Sequence, residues 1–173
     1  MNHVFWITGL SCSGKTSIGK MLYEHLLANN HFTAFLDGDE LRKVFGDDLG
    51  YSLSDREKSA MRNARLCSLL GSQDINVICC TISLFHSVQE WNRKYISNYI
   101  EIYVKSPINV MRQRDRKGIY CDTSKDIAGV SVAIEEPEHP DLILLNDINT
   151  SISDLVLEIE NYIAKEGVQF ETR

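Results

Sequence analysis

Gly9-Leu10-Ser11-Cys12-Ser13-Gly14-Lys15-Thr16 places two glycines, a lysine and a hydroxyl residue in the order Gly, four residues, Gly-Lys-Thr. The main-chain N–H groups of such a P-loop turn onto phosphate oxygens, and the start of the following helix adds partial positive charge. In this pattern Lys15 reaches the β- and γ-phosphates and the Thr16 hydroxyl holds Mg²⁺. Gly9, Ser11, Cys12, Ser13, Gly14, Lys15, Thr16 and Ser17 are therefore the expected ATP-binding residues. A second group is acidic: Asp37-Gly38-Asp39-Glu40-Leu41-Arg42. One of its carboxylates could hold a metal-bound water and another take the proton of an attacking hydroxyl. The same spacing also fits a helix N-cap followed by an acidic first turn. Within Thr81-Ile82-Ser83-Leu84-Phe85-His86, Ser83 could donate to a substrate or cap a helix, and Phe85 could line a pocket. Arg112, Arg114, Arg116 and Lys117 form the densest positive cluster. They read either as clamps for transferring phosphate or as a solvated basic helix end. The five histidines show no metal-ligand spacing.

The elements that must position these groups follow from apolar runs. Strands are expected at Val4–Thr8, Thr33–Leu36, Asn76–Ile82, Ile100–Val104 and Leu142–Leu145. Helices are expected at Thr16–Ala28, Asp55–Leu70, Val88–Ser97, Pro107–Arg114 and Ile152–Lys165, with Pro107 as first helical residue. Strands that alternate with helices and read as continuous apolar runs predict an α/β fold: a five-stranded parallel sheet with helices on both faces. Ligands of such sheets bind beyond the carboxyl ends of the strands, where the groups above fall. The polar stretch Gly118 to Pro140 lacks periodicity, and a lid over about residues 115–140 is expected there.

A chain of 173 residues is enough for one domain, 1–173. Its 43% hydrophobic and 24% charged residues are ordinary for a globular protein, and the net charge of −6 speaks against a nucleic-acid partner. No apolar run reaches membrane-spanning length, and the chain enters its first strand at once, so no membrane segment or secretory leader is expected. Cysteines 12, 67, 79, 80 and 121 show neither a disulfide framework nor metal spacing, which fits reduced thiols and a cytoplasmic location.

In order and spacing, a set of segments resembles the adenylylsulfate (APS) kinase family over nearly the whole chain. Besides the P-loop these are Phe35-Leu36-Asp37-Gly38-Asp39-Glu40-Leu41-Arg42, Asp48-Leu49-Gly50-Tyr51-Ser52 with Asp55-Arg56, Ile82-Ser83-Leu84-Phe85, Arg114-Asp115-Arg116-Lys117-Gly118-Ile119-Tyr120, and Glu136-Pro137 through Pro140. The resemblance implies a P-loop kinase that moves the γ-phosphoryl of Mg·ATP to the 3′-hydroxyl of adenylylsulfate, giving PAPS and ADP. It implies Asp39 beside the acceptor hydroxyl, with Lys15 the other catalytic residue. Asp37 and Thr16 would lie at the metal, and Arg42 and Arg56 would grip the anionic end of the acceptor. Tyr51 would stand where the family has a Phe that stacks on the acceptor base, and Arg114 and Lys117 would belong to the ATP lid. Ser83, Phe85 and Ile127 complete the implied acceptor site, and a homodimer is the implied assembly.

The departures fall at the acceptor end. Ser59 aligns near a family Asn, and Met61 stands where an Arg is usual. Cys121-Asp122-Thr123-Ser124-Lys125 replaces a more basic run. Ile127-Ala128-Gly129-Val130 aligns with Phe-Thr-Gly-Ile, whose Phe closes over the base. A subgroup of the family acts on cytidine diphosphoramidate in bacterial capsule synthesis, and a smaller base fits these changes. Two readings of other classes fit the sequence less well. A guanine-nucleotide switch lacks its Asn-Lys-x-Asp segment. A non-catalytic nucleotide-binding module is opposed by the intact Lys15, Thr16, Asp37 and Asp39.

Overall fold

A computed structural model describes residues 2–29, 31–116, 118–121 and 127–167. Five parallel strands, β1 (Val4–Thr8), β2 (Thr33–Asp37), β3 (Asn76–Thr81), β4 (Tyr99–Lys105) and β5 (Leu142–Leu145), form one sheet in the order β2-β3-β1-β4-β5. β1 lies at the centre, in register with β3 from Val4↔Val77 and with β4 from Val4↔Tyr99. Side chains alternate across a strand. Phe5, Ile7, Ile78 and Cys80 therefore face α1 (Lys15–Ala28) and α6 (Ile152–Lys165), while Val4, Trp6, Val77 and Cys79 face α3 (Leu53–Gly71) and α4 (His86–Tyr95). Burial on both faces explains why these strands read as unbroken apolar runs.

The expected helices are present with ends shifted by one or two residues. Pro107 is the residue preceding α5 (Ile108–Arg114), in extended conformation, so it is not the first helical residue as expected. One helix was not expected as such: α2 (Gly38–Val44), seven residues long, starts immediately at the end of β2. Its start signal, Asp37 followed by Asp39 and Glu40, is the N-cap pattern that the sequence left as an alternative. Among the described residues no helix is long and apolar enough to cross a membrane.

The crossover that places β3 between β1 and β2 opens a crevice at the carboxyl end of β1, where the P-loop begins. The carboxyl-terminal part of the stretch 115–140, expected as a lid, is bonded to its surroundings. Glu135 donates its N–H to the Leu84 carbonyl at 3.1 Å, its carboxylate accepts from His86 N–H at 2.6 Å, and Lys105 pairs with Glu136 at 2.8 Å. Asp141 accepts from Glu101 N–H at 2.7 Å, and Arg93 bridges Glu101, Asp141 and the His139 carbonyl. These bonds tie Glu135, Glu136, His139 and Asp141 to β4, α4 and the segment before α4.

Gly19 sets how closely α1 approaches the sheet. A Cβ there would lie 2.3 Å from Cys80 Sγ and 3.1 Å from Phe35. Gly to Ala in a helix interior ordinarily stabilises by about 0.5–1 kcal/mol. Overpacking a close-packed interior costs about 1–3 kcal/mol, and here it wins. Gly19→Ala is expected to destabilise by about 1–2 kcal/mol; an urea midpoint at or above wild type would contradict this packing.

Candidate phosphotransfer site

The loop between β1 and α1 is built for close approach. Gly9 has φ +149°, and a Cβ on it would meet the Val104 carbonyl at 2.4 Å. Gly14 has φ +100°, and a Cβ there would lie 2.2 Å from Asn146 Nδ2. Cys12 also takes a left-handed φ of +62°, so left- and right-handed residues mix through the loop, a geometry that makes an anion-binding concavity of backbone amides. Asn146, fully buried after β5, donates from Nδ2 to the Ser13 carbonyl at 2.7 Å and accepts from Arg114 at 3.1 Å. Tyr120 donates its hydroxyl to the Ser11 carbonyl at 2.8 Å, with its own N–H on Asp115 at 2.7 Å. Neither Asn146 nor Tyr120 was singled out as a site residue. Asparagine after a strand reads as a turn former, and only the sheet order shows that β5 ends beside the loop.

Lys15 is 8% exposed and folds back to donate to the Leu10 carbonyl at 2.6 Å and to Ser13 Oγ at 3.5 Å. Burial lowers its pKa to about 8 against the pull of nearby Cys80, Asp37 and Asp39. The Cys80 thiol, itself pushed up to about 12 by burial, stays neutral and donates to the Lys15 carbonyl at 3.3 Å.

Thr16 donates its hydroxyl to Asp37 Oδ2 at 2.7 Å, and Asp37 Oδ1 accepts from Asp39 N–H at 3.0 Å. Asp37 is thus both a helix cap and a partner of Thr16, so the N-cap reading of the acidic cluster holds. A hydroxyl and a carboxylate oxygen side by side are hard donors that suit Mg²⁺, which keeps several waters and takes few protein ligands. No group of three or more His, Cys, Asp or Glu among the described residues could hold a metal.

Two cavities meet at this point. One, of about 350 Å³, runs from Lys15, Thr16 and Asp39 to a floor on α3 made by Ser59, Ala60 and Asn63, with Ser83 and Phe85 opposite. The other, of about 940 Å³, is lined by Phe35, Asp39, Arg42, Tyr51, Arg56 and Ile127. Arg42 donates to the Leu49 and Gly50 carbonyls at 3.0 and 3.1 Å, and Arg56 donates to the Tyr51 carbonyl at 2.8 Å. Both guanidiniums lie over the Tyr51 ring, 4.6 and 5.4 Å from its centroid. The segment is braced by Arg62 on both oxygens of Asp48 at 2.7 Å, which holds the Asp48 carboxyl below its usual range. Ser83 caps nothing: its hydroxyl meets Thr81 Oγ1 at 2.7 Å, and Glu135 caps α4 instead.

Of the expected residues, Ser11, Cys12, Lys15, Thr16, Asp37 and Asp39 gather in the 350 Å³ cavity with Arg42, Tyr51, Arg56, Ser83, Phe85 and Arg114. Ile127 joins from the larger one. Gly9, Ser13, Gly14 and Ser17 shape the loop without lining either cavity. Arg116 also lines the smaller cavity, whereas Arg112 does not. Arg114 is held by the Asn146 side chain and the Asp147 carbonyl, and its buried Nη1 has no partner among the described residues, so it can still donate to an anion. Lys117 and residues 122–125 lie outside the described residues.

The adenylylsulphate kinase family profile matches residues 1–145. The cytidine diphosphoramidate kinase of Campylobacter jejuni is 35% identical, covering 89% of this chain and 92% of that protein. The adenylyl-sulfate kinase of Halothermothrix orenii is 32% identical, covering 94% and 89%. Among solved structures, the APS kinase of Mycobacterium tuberculosis in complex with AMPPNP and APS superposes with a TM-score of 0.86 at 28% identity, covering 94% of this chain and 98% of that one.

The lowered Lys15 pKa carries a pH prediction. Between about pH 8 and the unperturbed value of 10.5, the unfolded chain binds more protons than the folded one. Stability from this group therefore rises with pH through that window. Lys15→Met removes the buried ammonium and is expected to be more stable than wild type near pH 7.5 by about 1–2 kcal/mol, after loss of one hydrogen bond. That advantage shrinks by pH 9.5; urea titrations showing a constant or growing advantage would refute the assignment.

Proposed function

The chain belongs to the adenylylsulphate kinase family, and on that premise we propose that it moves the γ-phosphoryl of ATP to the ribose 3′-hydroxyl of a small anionic nucleotide, cytidine diphosphoramidate. The family makes it a phosphotransferase with a hydroxyl acceptor. The observation that carries the acceptor choice is the larger cavity, where Ile127 supplies an aliphatic wall in a lining that also holds Tyr51 and Phe35. An aliphatic side chain in place of a stacking ring forgoes about 0.5–1.5 kcal/mol on that side, which weighs more against a purine than against a smaller base. The Campylobacter jejuni relative, with the name it bears, supports the same acceptor.

The chemistry rests on positioning and charge. Lys15 would leave the Leu10 carbonyl for the β- and γ-phosphates, taking up its full proton as the anion arrives. Arg114 Nη1 would donate to the transferring group. Thr16 and Asp37 would hold Mg²⁺, which supplies charge neutralisation when bound. Asp39 would align the acceptor hydroxyl and take its proton as the new O–P bond forms and the bond to the β-phosphate oxygen breaks, releasing ADP. Arg42 and Arg56 would grip the acceptor's diphosphate-like end, with the base against Tyr51 and Ile127. The turn Ile127–Val132, packed on Leu10 through Gly129, would keep water out. A homodimer belongs to this reading on the resemblance alone.

The test is ADP release with Mg·ATP over a panel of acceptors. Cytidine diphosphoramidate is expected to give the highest kcat/KM. A higher value with adenylylsulfate would move the assignment to that acceptor, and no turnover with any acceptor would defeat it. Asp39→Asn should lower kcat by about 10²- to 10⁴-fold while the Kd for ATP stays within about threefold, because the carboxylate acts on the acceptor's proton. A parallel loss of ATP affinity would count against that role.

A further inference from the structure

We propose that Asn63 reads the terminal group of the acceptor by accepting a hydrogen bond from the phosphoramidate nitrogen. The inference rests on the cytidine diphosphoramidate reading and adds to it a residue that selects the terminal group. Arg56, Ser59 and Asn63 follow one another at helical spacing on α3 and line the same cavity, so they share one face of the helix. Asn63 is 2% exposed, and its Oδ1 is buried with no hydrogen-bond partner among the described residues. Opposite it, the Ser83 hydroxyl is already engaged with Thr81 at 2.7 Å. Buried polar groups are nearly always paired, and an unmet oxygen on a residue that lines a cavity is available to a ligand's donor once the ligand or the carboxamide adjusts.

The two cavities say which end of the acceptor arrives there. Tyr51 and Arg56 line both, but Ile127 lines only the larger and Asn63 only the smaller. A base held against Tyr51 and Ile127 extends its anionic end past Arg56 towards Ser59 and Asn63. Adenylylsulfate and cytidine diphosphoramidate carry the same formal charge, so the arginines cannot tell their ends apart. The difference is in hydrogens: a sulfate end offers only acceptors, whereas a phosphoramidate end carries N–H donors. A neutral carboxamide oxygen accepts from N–H without adding charge beside the anion. Ser59, where the family pattern has an asparagine, leaves the floor open for the carboxamide one turn further along the helix.

The test compares the full-length wild type and Asn63→Leu by ADP release with cytidine diphosphoramidate, cytidine diphosphate and adenylylsulfate. Thermal melting and the Kd for ATP serve as controls. Asn63→Leu is expected to lower kcat/KM for the phosphoramidate by about 10- to 100-fold, and for the other two acceptors by no more than about threefold. Asn63→Thr, which keeps an acceptor oxygen with shorter reach, should show a smaller loss confined to the phosphoramidate, and stands in if Asn63→Leu does not fold. An equal loss on adenylylsulfate would mean that the amide donates to an oxyanion, and would overturn the inference. So would an unchanged rate on the phosphoramidate. Wild type that turns over adenylylsulfate but not the phosphoramidate sinks the acceptor reading, and this inference with it. Wild type active on the phosphoramidate with an indifferent Asn63→Leu sinks this inference alone.

Discussion

The site depends on the P-loop having no room for side chains at two points. Gly9 lies against the Val104 carbonyl, and Gly14 lies against the buried carboxamide of Asn146. The loop is thereby clamped between the end of β4 and the residue that follows β5. The clamp is hydrogen-bonded as well as steric, because Asn146 donates to the Ser13 carbonyl and receives Arg114. One buried asparagine so joins the phosphate loop to a guanidinium at the end of α5. A half-paired buried amide would be costly at this position; here both of its ends are met.

Around this clamp the protein gathers opposite charges. The chain carries a net charge of −6, yet Lys15, Arg42, Arg56 and Arg114 converge on one cavity with Asp37 and Asp39. The Lys15 ammonium is desolvated and rests on a carbonyl, and the Arg114 Nη1 has no partner among the described residues. Both groups are under-neutralised in the free protein. Under the proposed function a polyphosphate would satisfy both, Arg114 where it stands and Lys15 after it leaves the Leu10 carbonyl. Asp37 links the two halves of the site: the same carboxylate takes the Thr16 hydroxyl and caps α2, so the phosphate loop and the start of α2 with Asp39 are in fixed relation.

The sheet and its main helices were legible because their signals are local and strong. Val4–Thr8 and Asn76–Thr81 are buried on both faces, and a strand of that kind reads as a near-continuous apolar run. The seven-residue α2 is harder to read, because its charged residues fit a helix start and a reactive cluster equally well. Pro107 was displaced by one position since its extended backbone serves as the cap of α5. The segment 135–140 is polar and proline-containing, as a lid would be, yet Glu135 and Glu136 bond to Leu84, His86 and Lys105, residues distant in sequence that no local pattern reveals.

The chain by itself determined the phosphate loop, the acidic segment after β2, the α/β alternation and the family. Each is written in residues close together, whose spacing is imposed by a turn, a cap or a strand period. Only the tertiary structure decided that Asn146 clamps the loop, that Tyr120 ties down Ser11, and that Asn63 carries an unmet acceptor on a cavity floor. The first two rest on pairs 133 and 109 residues apart, and the third on burial by other elements. Burial and long-range pairing follow from strand order, here β2-β3-β1-β4-β5, and no local spacing encodes which strand ends will lie side by side.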